Sequence, residues 1–149
     1  NNSGYGDCVN ALMEQGLFAP ISYCYSVDNP ENEEFLEIWK AGHDGQVPGG
    51  NNLAGSCLQA LLLLANALDA VGADASPEEL RAALLAADFH GPEGHTYFNE
   101  GQCVAYKDVY VVKDIVLDDG SYNYQVIKPY YDVKPEGYNY DVLTDSYTG

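Results

Sequence analysis

The stretch from Ser22 to Lys40 constrains the fold most strongly, because it joins a β-like run to a helix with clear starting signals. The residues from Tyr23 to Val27 are aromatic or β-favouring and suit a pleated surface. Asn29 can cap a helix through its side-chain oxygen, and Pro30 suits the first helical position, where its missing N–H needs no partner. The residues from Phe35 to Trp39 then supply an apolar helix face. The sequence therefore predicts a strand over Leu17 to Val27 and a helix from Pro30 to about Lys40.

Apolar spacing and capping signals predict three further helices. One runs from Asp7 to Gln15. A second, from about Leu53 to Val71, is apolar nearly all round between Leu58 and Ala65, so we expect it at the centre of the core. Because that apolar run is far shorter than the ~20 residues that span a bilayer, we expect a buried helix rather than a membrane span. The third begins at a capping box from Ser76 to Glu79.

The second half of the chain predicts a β-hairpin and then an extended tail. Val109 to Leu117 is typical of a strand, Asp118-Asp119-Gly120 of a tight turn, and the residues from Tyr122 of the return strand. From Pro129 onward, tyrosines lie among Asp, Gly and Pro, which predicts an extended Tyr-rich arm that packs on a neighbouring surface or is mobile. We therefore divide the chain into an α/β region, residues 1–128, with helices packed on a sheet, and a C-terminal arm, residues 129–149.

The charge balance excludes two classes of partner. The net charge is −17, with 23 acidic residues against six Lys plus Arg. A protein that binds a phosphate backbone needs clustered cations, so we expect no nucleic-acid partner. Repulsion from anionic lipid headgroups also disfavours docking on a membrane surface.

The four cysteines leave two alternatives open. None of them has the close paired spacing of zinc sites and redox motifs. An even number permits two disulfides in three connectivities, whereas buried free thiols are also common in protein cores. The cysteines concerned are Cys8, Cys24, Cys57 and Cys103.

Two candidate chemical sites are weaker than their structural explanations. His90 and His95 lie near Asp88 and Glu93, but the Gly-Pro and Gly between them favour a flexible, solvated turn over a metal site. Cys57 opens a helix, where a thiol pKa falls, but no base can be assigned to it, so a buried or disulfide-linked cysteine is expected. The sequence therefore predicts no catalytic residue, no metal and no cofactor.

The order of several short motifs resembles the C-terminal part of type I periplasmic substrate-binding proteins. The segment from Tyr25 to Phe35 matches that family's pattern of aromatic-Ser-hydrophobic-Asp-x-Pro-x-Asn-x-x-Phe. Three later segments follow in the family's order, namely Leu61 to Gly72, Pro77 to Leu84 and Val109 to Val126. The chain is most similar to the urea and short-amide receptors of ABC importers, which are related to the branched-chain amino-acid receptors.

This resemblance implies a partial or rearranged two-lobed receptor fold and a non-catalytic solute-binding module. It implies a secreted protein, extracellular or periplasmic, that binds a small polar ligand when a companion lobe or chain completes the cleft. By position, Tyr23, Tyr25, Asn51 and Asn52 are the expected ligand contacts. The alternative is a receptor-derived structural or assembly subunit that has lost ligand binding and associates with itself or another chain.

Overall fold

The computed structural model describes residues 16–49, 53–99 and 104–134, together with the backbone of residues 140–141 and 146–147. The predicted helix from Asp7 to Gln15 lies outside this part of the chain. The helices described are α1 (Pro30–Gly42), α2 (Leu53–Val71) and α3 (Pro77–Leu85), and the strands are β1 (Phe18–Ile21), β2 (Asp88–Gly91), β3 (Gly94–Tyr97), β4 (Tyr106–Val116), β5 (Tyr122–Val133), β6 (Tyr140–Asp141) and β7 (Ser146–Tyr147).

Strand β4 organises an antiparallel sheet of five strands. β5 pairs with it over nearly its whole length, while β1 and β3 pair with different parts of it and β2 pairs with β3. β6 and β7 pair only with each other. Helices α1 to α3 occur together with this sheet, which confirms the predicted α/β class. Strands β4 and β5 form the predicted C-terminal β-hairpin.

The predicted capping and turn signals are confirmed. The side chain of Asn29 accepts from the backbone N–H of Asn32 at 2.7 Å, which starts α1. Ser76 and Glu79 form both halves of a capping box at the start of α3. Gly120 has a positive φ of 82°, which lets the β4–β5 turn close. These signals are local, so tertiary packing does not override them.

The predicted strand from Leu17 to Val27 is too long. β1 ends at Ile21, and the next residues form a buried irregular segment with a turn in which Val27 N–H donates to the Cys24 carbonyl at 3.1 Å. The side-chain amide of Asn32 donates to the carbonyls of Tyr25 and Val27, at 3.1 and 2.7 Å. These carbonyls are therefore bonded without a neighbouring strand. Side-chain hydrogen bonds therefore replace sheet pairing here.

The core gathers around this irregular segment. Tyr23 is only 1% exposed, and its ring lies 6.1 Å from that of Phe35 on α1. Gly55 of α2 packs so closely on the Tyr23 ring that a Cβ atom there would overlap it. The buried hydrophobic cluster comprises Tyr23, Cys24, Val27, Phe35, Tyr110 and Val112.

Helix α2 is not the central core helix that its composition predicts. Its buried residues are Gly55, Gln59 and Ala67, whereas Leu53 and Leu61 are 62% and 63% exposed. The small and polar residues form the contact stripe because the helix lies close to the chain beneath it. By length and composition alone α2 could cross a membrane, a property that core helices of other proteins share.

The cysteines that the structure describes are unpaired. Cys24 is a buried free thiol, and burial raises the pKa of that thiol. Cys57 is an exposed free thiol, so the prediction that it is buried or disulfide-linked is wrong, because α2 turns this side chain away from its contact stripe. Cys8 and Cys103 lie outside the described residues.

Strand β5 continues through Pro129 to Val133, so the start of the predicted Tyr-rich arm belongs to the sheet. The structure describes only the backbone of β6 and β7 in the rest of that arm.

Candidate functional site

One cleft, which we call the Tyr25 cleft, lies between the end of α1 and the tip of the β4–β5 hairpin. Its volume is about 790 Å³. It is open to solvent, and aromatic rings and a polar loop form its walls. It is lined by Tyr25, Trp39, His43, Asp44, Gly45, Gln46, Val47, Gly49, Val116, Leu117, Asp118, Asp119, Ser121, Tyr122 and Asn123.

Two stacked rings form the rigid part of the Tyr25 cleft. The rings of Trp39 and His43 lie 4.0 Å apart and nearly parallel, one helical turn from each other. Nδ1 of His43 also lies 2.8 Å from the Trp39 carbonyl oxygen, which fixes the imidazole. The positive φ angles of Asp44 and Gly45 then turn the chain from α1 into the loop. The cleft therefore offers an aromatic surface beside exposed backbone groups.

The loop of the Tyr25 cleft is anchored from below. Asn123 is 1% exposed, and its side-chain amide donates to the Pro48 carbonyl at 2.9 Å. Its side-chain oxygen accepts from the backbone N–H of Tyr124 at 2.9 Å. A buried amide with both groups bonded holds the loop against β5.

A second cleft, which we call the acidic cleft, has a volume of about 580 Å³. It lies between β5, the β2–β3 hairpin and the start of α1. Its polar wall carries the carboxylates of Asp28, Glu31, Asp108 and Asp132, and its other wall includes Val126, Ile127, Pro129 and Tyr131.

Asp108 fixes the floor of the acidic cleft. Its side chain is buried, and its two oxygens accept from the backbone N–H groups of His95 and Asp132, each at 3.0 Å. One carboxylate thereby joins β3 to β5 across β4. Nearby, the Tyr110 hydroxyl donates to the Glu93 carbonyl at 3.0 Å. Burial, helped by the charge of Asp108, raises the pKa of Tyr110 far above its usual value, so this hydroxyl keeps its proton.

The β2–β3 turn is buried against α2. Glu93 is 4% exposed, accepts from the Ser56 hydroxyl and pairs with the ammonium group of Lys107 at 2.9 Å. Gln59 donates to the Gly94 carbonyl and to the Thr96 hydroxyl, both at 3.1 Å. A buried charge with these partners is satisfied, and it fixes the hairpin in position.

His90 and His95 lie on this ordered hairpin, not in the flexible turn that the sequence predicts. They face each other in the β2–β3 register, and their rings stack at 4.4 Å. The ring of Tyr97 stacks on that of His95, 4.8 Å between centroids, and the ring of Tyr106 stacks on that of Tyr97 at 5.0 Å. The Gly-Pro-Glu-Gly segment forms a tight turn because Gln59 and Glu93 hold it against α2.

His95 is held by two carboxylates. Its Nε2 lies 2.7 Å from Asp88 and its Nδ1 lies 2.6 Å from Asp132. Partial burial lowers the pKa of His95, but the hydrogen bonds with Asp88 and Asp132 outweigh this effect, and the net pKa is raised.

The structure separates the residues predicted to contact a ligand. Tyr23 is a core residue that lines neither cleft, because its hydroxyl donates to the side-chain oxygen of buried Asn32 at 3.0 Å. Tyr25, two residues on, lines the Tyr25 cleft. Asn51 and Asn52 lie outside the described residues. In sequence they follow shortly after Gly49, which is the last described residue of the loop that lines the cleft.

Sequence reasoning missed the Trp39–His43 wall. The interval of four residues on a predicted helix was the available signal, because residues at i and i+4 are neighbours on a helix surface. The predicted helix end at about Lys40 hid this relation, since α1 extends to Gly42 and His43 caps it.

The chain matches one protein family over most of its length. The family is described as "Periplasmic binding protein domain", and the match covers residues 8–143. No curated protein matches the chain.

Solved structures share the same arrangement. An ABC transporter substrate-binding protein from Sphaerobacter thermophilus is 30% identical over 78% of this chain, with a TM-score of 0.67. A solute-binding protein from Rhodopseudomonas palustris, in complex with benzoate, is 27% identical over 74%, with a TM-score of 0.59. A leucine-binding protein from Thermotoga maritima is 25% identical over 74%, with a TM-score of 0.58. The matched parts are 31%, 29% and 30% of those chains, so this chain spans about a third of their length.

Proposed function

This chain belongs to the periplasmic binding protein domain family, and from that premise we propose that it supplies one wall of a receptor site for small solutes. Solute-binding proteins of transporters are not enzymes, so the proposed role is binding without catalysis. The protein would act outside the cytoplasm, in the periplasm or extracellular space, as part of an ABC importer system.

The Tyr25 cleft is the observation that carries this proposal. It combines aromatic rings with a few polar groups, as small-molecule sites do. It is open to solvent, so its walls alone do not enclose a ligand. Two-lobed receptors exclude water by closing around a hinge. A companion lobe or chain is therefore required for tight binding.

The proposed ligand is a small polar solute such as urea, a short amide or an amino acid. The solved relatives include a complex with benzoate and a leucine-binding protein. Benzoate and leucine are both small organic solutes with a polar end. The flat pair of Trp39 and His43 suits the ligand's body, while Tyr25 offers a hydroxyl to its polar end. Asn51 and Asn52, which follow this loop in sequence, are proposed as further polar contacts.

Calorimetry on the native material tests this proposal. The material is titrated with urea, acetamide, leucine and benzoate, and we expect one of them to bind. Tyr25→Ala should weaken that binding at least tenfold, because it removes both ring and hydroxyl from the cleft wall. Tyr130→Ala is the matched control, since Tyr130 lies on β5 outside this cleft. Equal affinities for Tyr25→Ala and the unchanged protein would refute the assignment of this cleft.

A second candidate function is a receptor-derived assembly subunit, favoured by the exposed apolar residues of α2. Native mass spectrometry separates the two. A second lobe, whether on the same polypeptide or on a companion polypeptide, supports the receptor. Self-association without such a lobe, together with no heat from any of the four solutes, supports the assembly subunit.

A further inference from the structure

The β2–β3 hairpin places three metal-binding side chains on one face of the sheet. Asp88 and His90 are two residues apart on β2, so they share a face, and His95 lies directly opposite His90 on β3. One donor atom from each of the three can be chosen so that all lie within 4.8 Å of one another. Two imidazoles and a carboxylate are a donor set that binds zinc and its neighbours in the first transition row.

The hairpin that carries these side chains is rigid. Its turn is held by the buried groups of Gln59 and Glu93, and the backbone N–H of His95 is bonded to buried Asp108. The backbone of the hairpin is therefore fixed before an ion binds, whereas the imidazoles of His90 and His95, which now stack nearly parallel, must rotate about their side-chain torsions to aim both lone pairs at one ion. Donor groups on a rigid element lose little entropy when they bind an ion.

Asp132 supplies an outer contact that metal-binding histidines commonly have. Its carboxylate lies 2.6 Å from Nδ1 of His95, which leaves Nε2 on the side of Asp88. A carboxylate on the far nitrogen selects the tautomer whose Nε2 lone pair is free for a metal. A metal between His95 and Asp88 would replace the hydrogen bond that now joins them.

We propose that Asp88, His90 and His95 bind a divalent transition metal of the zinc class, with Asp132 as the residue that orients His95. A water or a ligand group completes the coordination, because the protein offers three donors to an ion that takes four. His90, His95 and Asp132 line the acidic cleft, and none of the proposed metal-binding residues lines the Tyr25 cleft.

The charge of the surroundings favours a cation. Asp28, Glu31 and Asp108 line the same cleft, and the whole chain carries a net charge of −17. A cleft lined by one sign of charge concentrates ions of the other sign. The imidazoles set the selectivity, since Ca²⁺ and Mg²⁺ prefer oxygen donors.

Titration of the metal-stripped full chain with ZnCl₂ tests the proposal by calorimetry. We expect one saturable equivalent, and His90→Ala and His95→Ala should each lower the zinc affinity at least tenfold. Asp132→Asn should lower it by about tenfold to a hundredfold, the usual effect of losing an orienting group. His43→Ala is the matched control and should bind zinc as the unchanged protein does, because His43 lies in the other cleft.

A spectroscopic measurement on the unchanged chain keeps the test independent of whether the variants fold. Cu²⁺ bound at this site should show imidazole-nitrogen hyperfine splitting in its electron paramagnetic resonance spectrum. Two results would overturn the proposal. One is a Cu²⁺ spectrum with oxygen donors only, and the other is equal displacement of Zn²⁺ by a matching concentration of Ca²⁺, since either would mean that scattered carboxylates hold the ion.

Discussion

Asn32 shows how one side chain can hold a loop that sheet pairing does not reach. It is fully buried, donates to the carbonyls of Tyr25 and Val27, and accepts from the Tyr23 hydroxyl. The Asn-Pro-x-Asn pattern therefore has a structural cause, since Asn29 starts α1 and Asn32 closes the segment before it. The same contacts turn Tyr23 into the core and leave Tyr25 on a cleft.

We predict that Asn32→Ala lowers the free energy of unfolding by roughly 2–4 kcal/mol, because it leaves buried polar groups without partners. Urea denaturation measures the change. Asn66→Ala is the control, because Asn66 is exposed on α2 and should change stability by less than about 0.5 kcal/mol. Equal losses for the two variants would contradict this account.

At the scale of elements, the closeness of α2 to the core depends on one position. Gly55 faces the ring of Tyr23 with no room for a Cβ atom, and Gln59, one turn on, reaches the β2–β3 hairpin. Gly55 and Gln59, rather than a stripe of leucines, therefore make the contacts that hold α2 against the rest of the fold.

Gly55→Ala should lower the free energy of unfolding by about 1–3 kcal/mol through overpacking, although alanine favours helix more than glycine does. Thermal unfolding measures this difference. Gly42→Ala has open space around its Cβ position and should be neutral or stabilising. If Gly55→Ala also raised the midpoint, the close contact with Tyr23 would be wrong.

The sequence predicted the starts of helices and the positions of turns better than it predicted what packs around each helix or strand, and the reason is physical. Asn29, Ser76 and Gly120 act on their own turns, so their signals survive in the fold. The burial of α2 depends on what packs against it, which composition does not encode. His90 and His95 face each other because β2 and β3 pair across a turn, and Gln59, far away in sequence, holds that turn in place.

At the scale of the whole molecule, apolar surface and negative charge coexist. The exposed large side chains include Ile38 of α1 and Leu61 of α2, at 67% and 63%. Large exposed apolar patches mark surfaces that other chains cover. The net charge of −17 opposes contact between copies and favours a partner of lower negative charge.

We predict that the isolated chain binds the hydrophobic dye anilinonaphthalene sulfonate through α2. Leu61→Glu should reduce the dye's fluorescence, since it places a charge within the apolar face of the helix. Ile127→Glu is the control, because Ile127 is similarly exposed, at 51%, but lies on β5. Equal reductions for both variants would place the dye elsewhere.

The sheet also sets an order of events along the folding pathway. β4 and β5 are joined by a short turn and can pair as soon as both exist, whereas β1 must return to β4 from a distant part of the chain. Closing a long loop costs more entropy than closing a short one, and distant pairings slow folding. The first strand of the described chain is therefore expected to be the last to join the sheet.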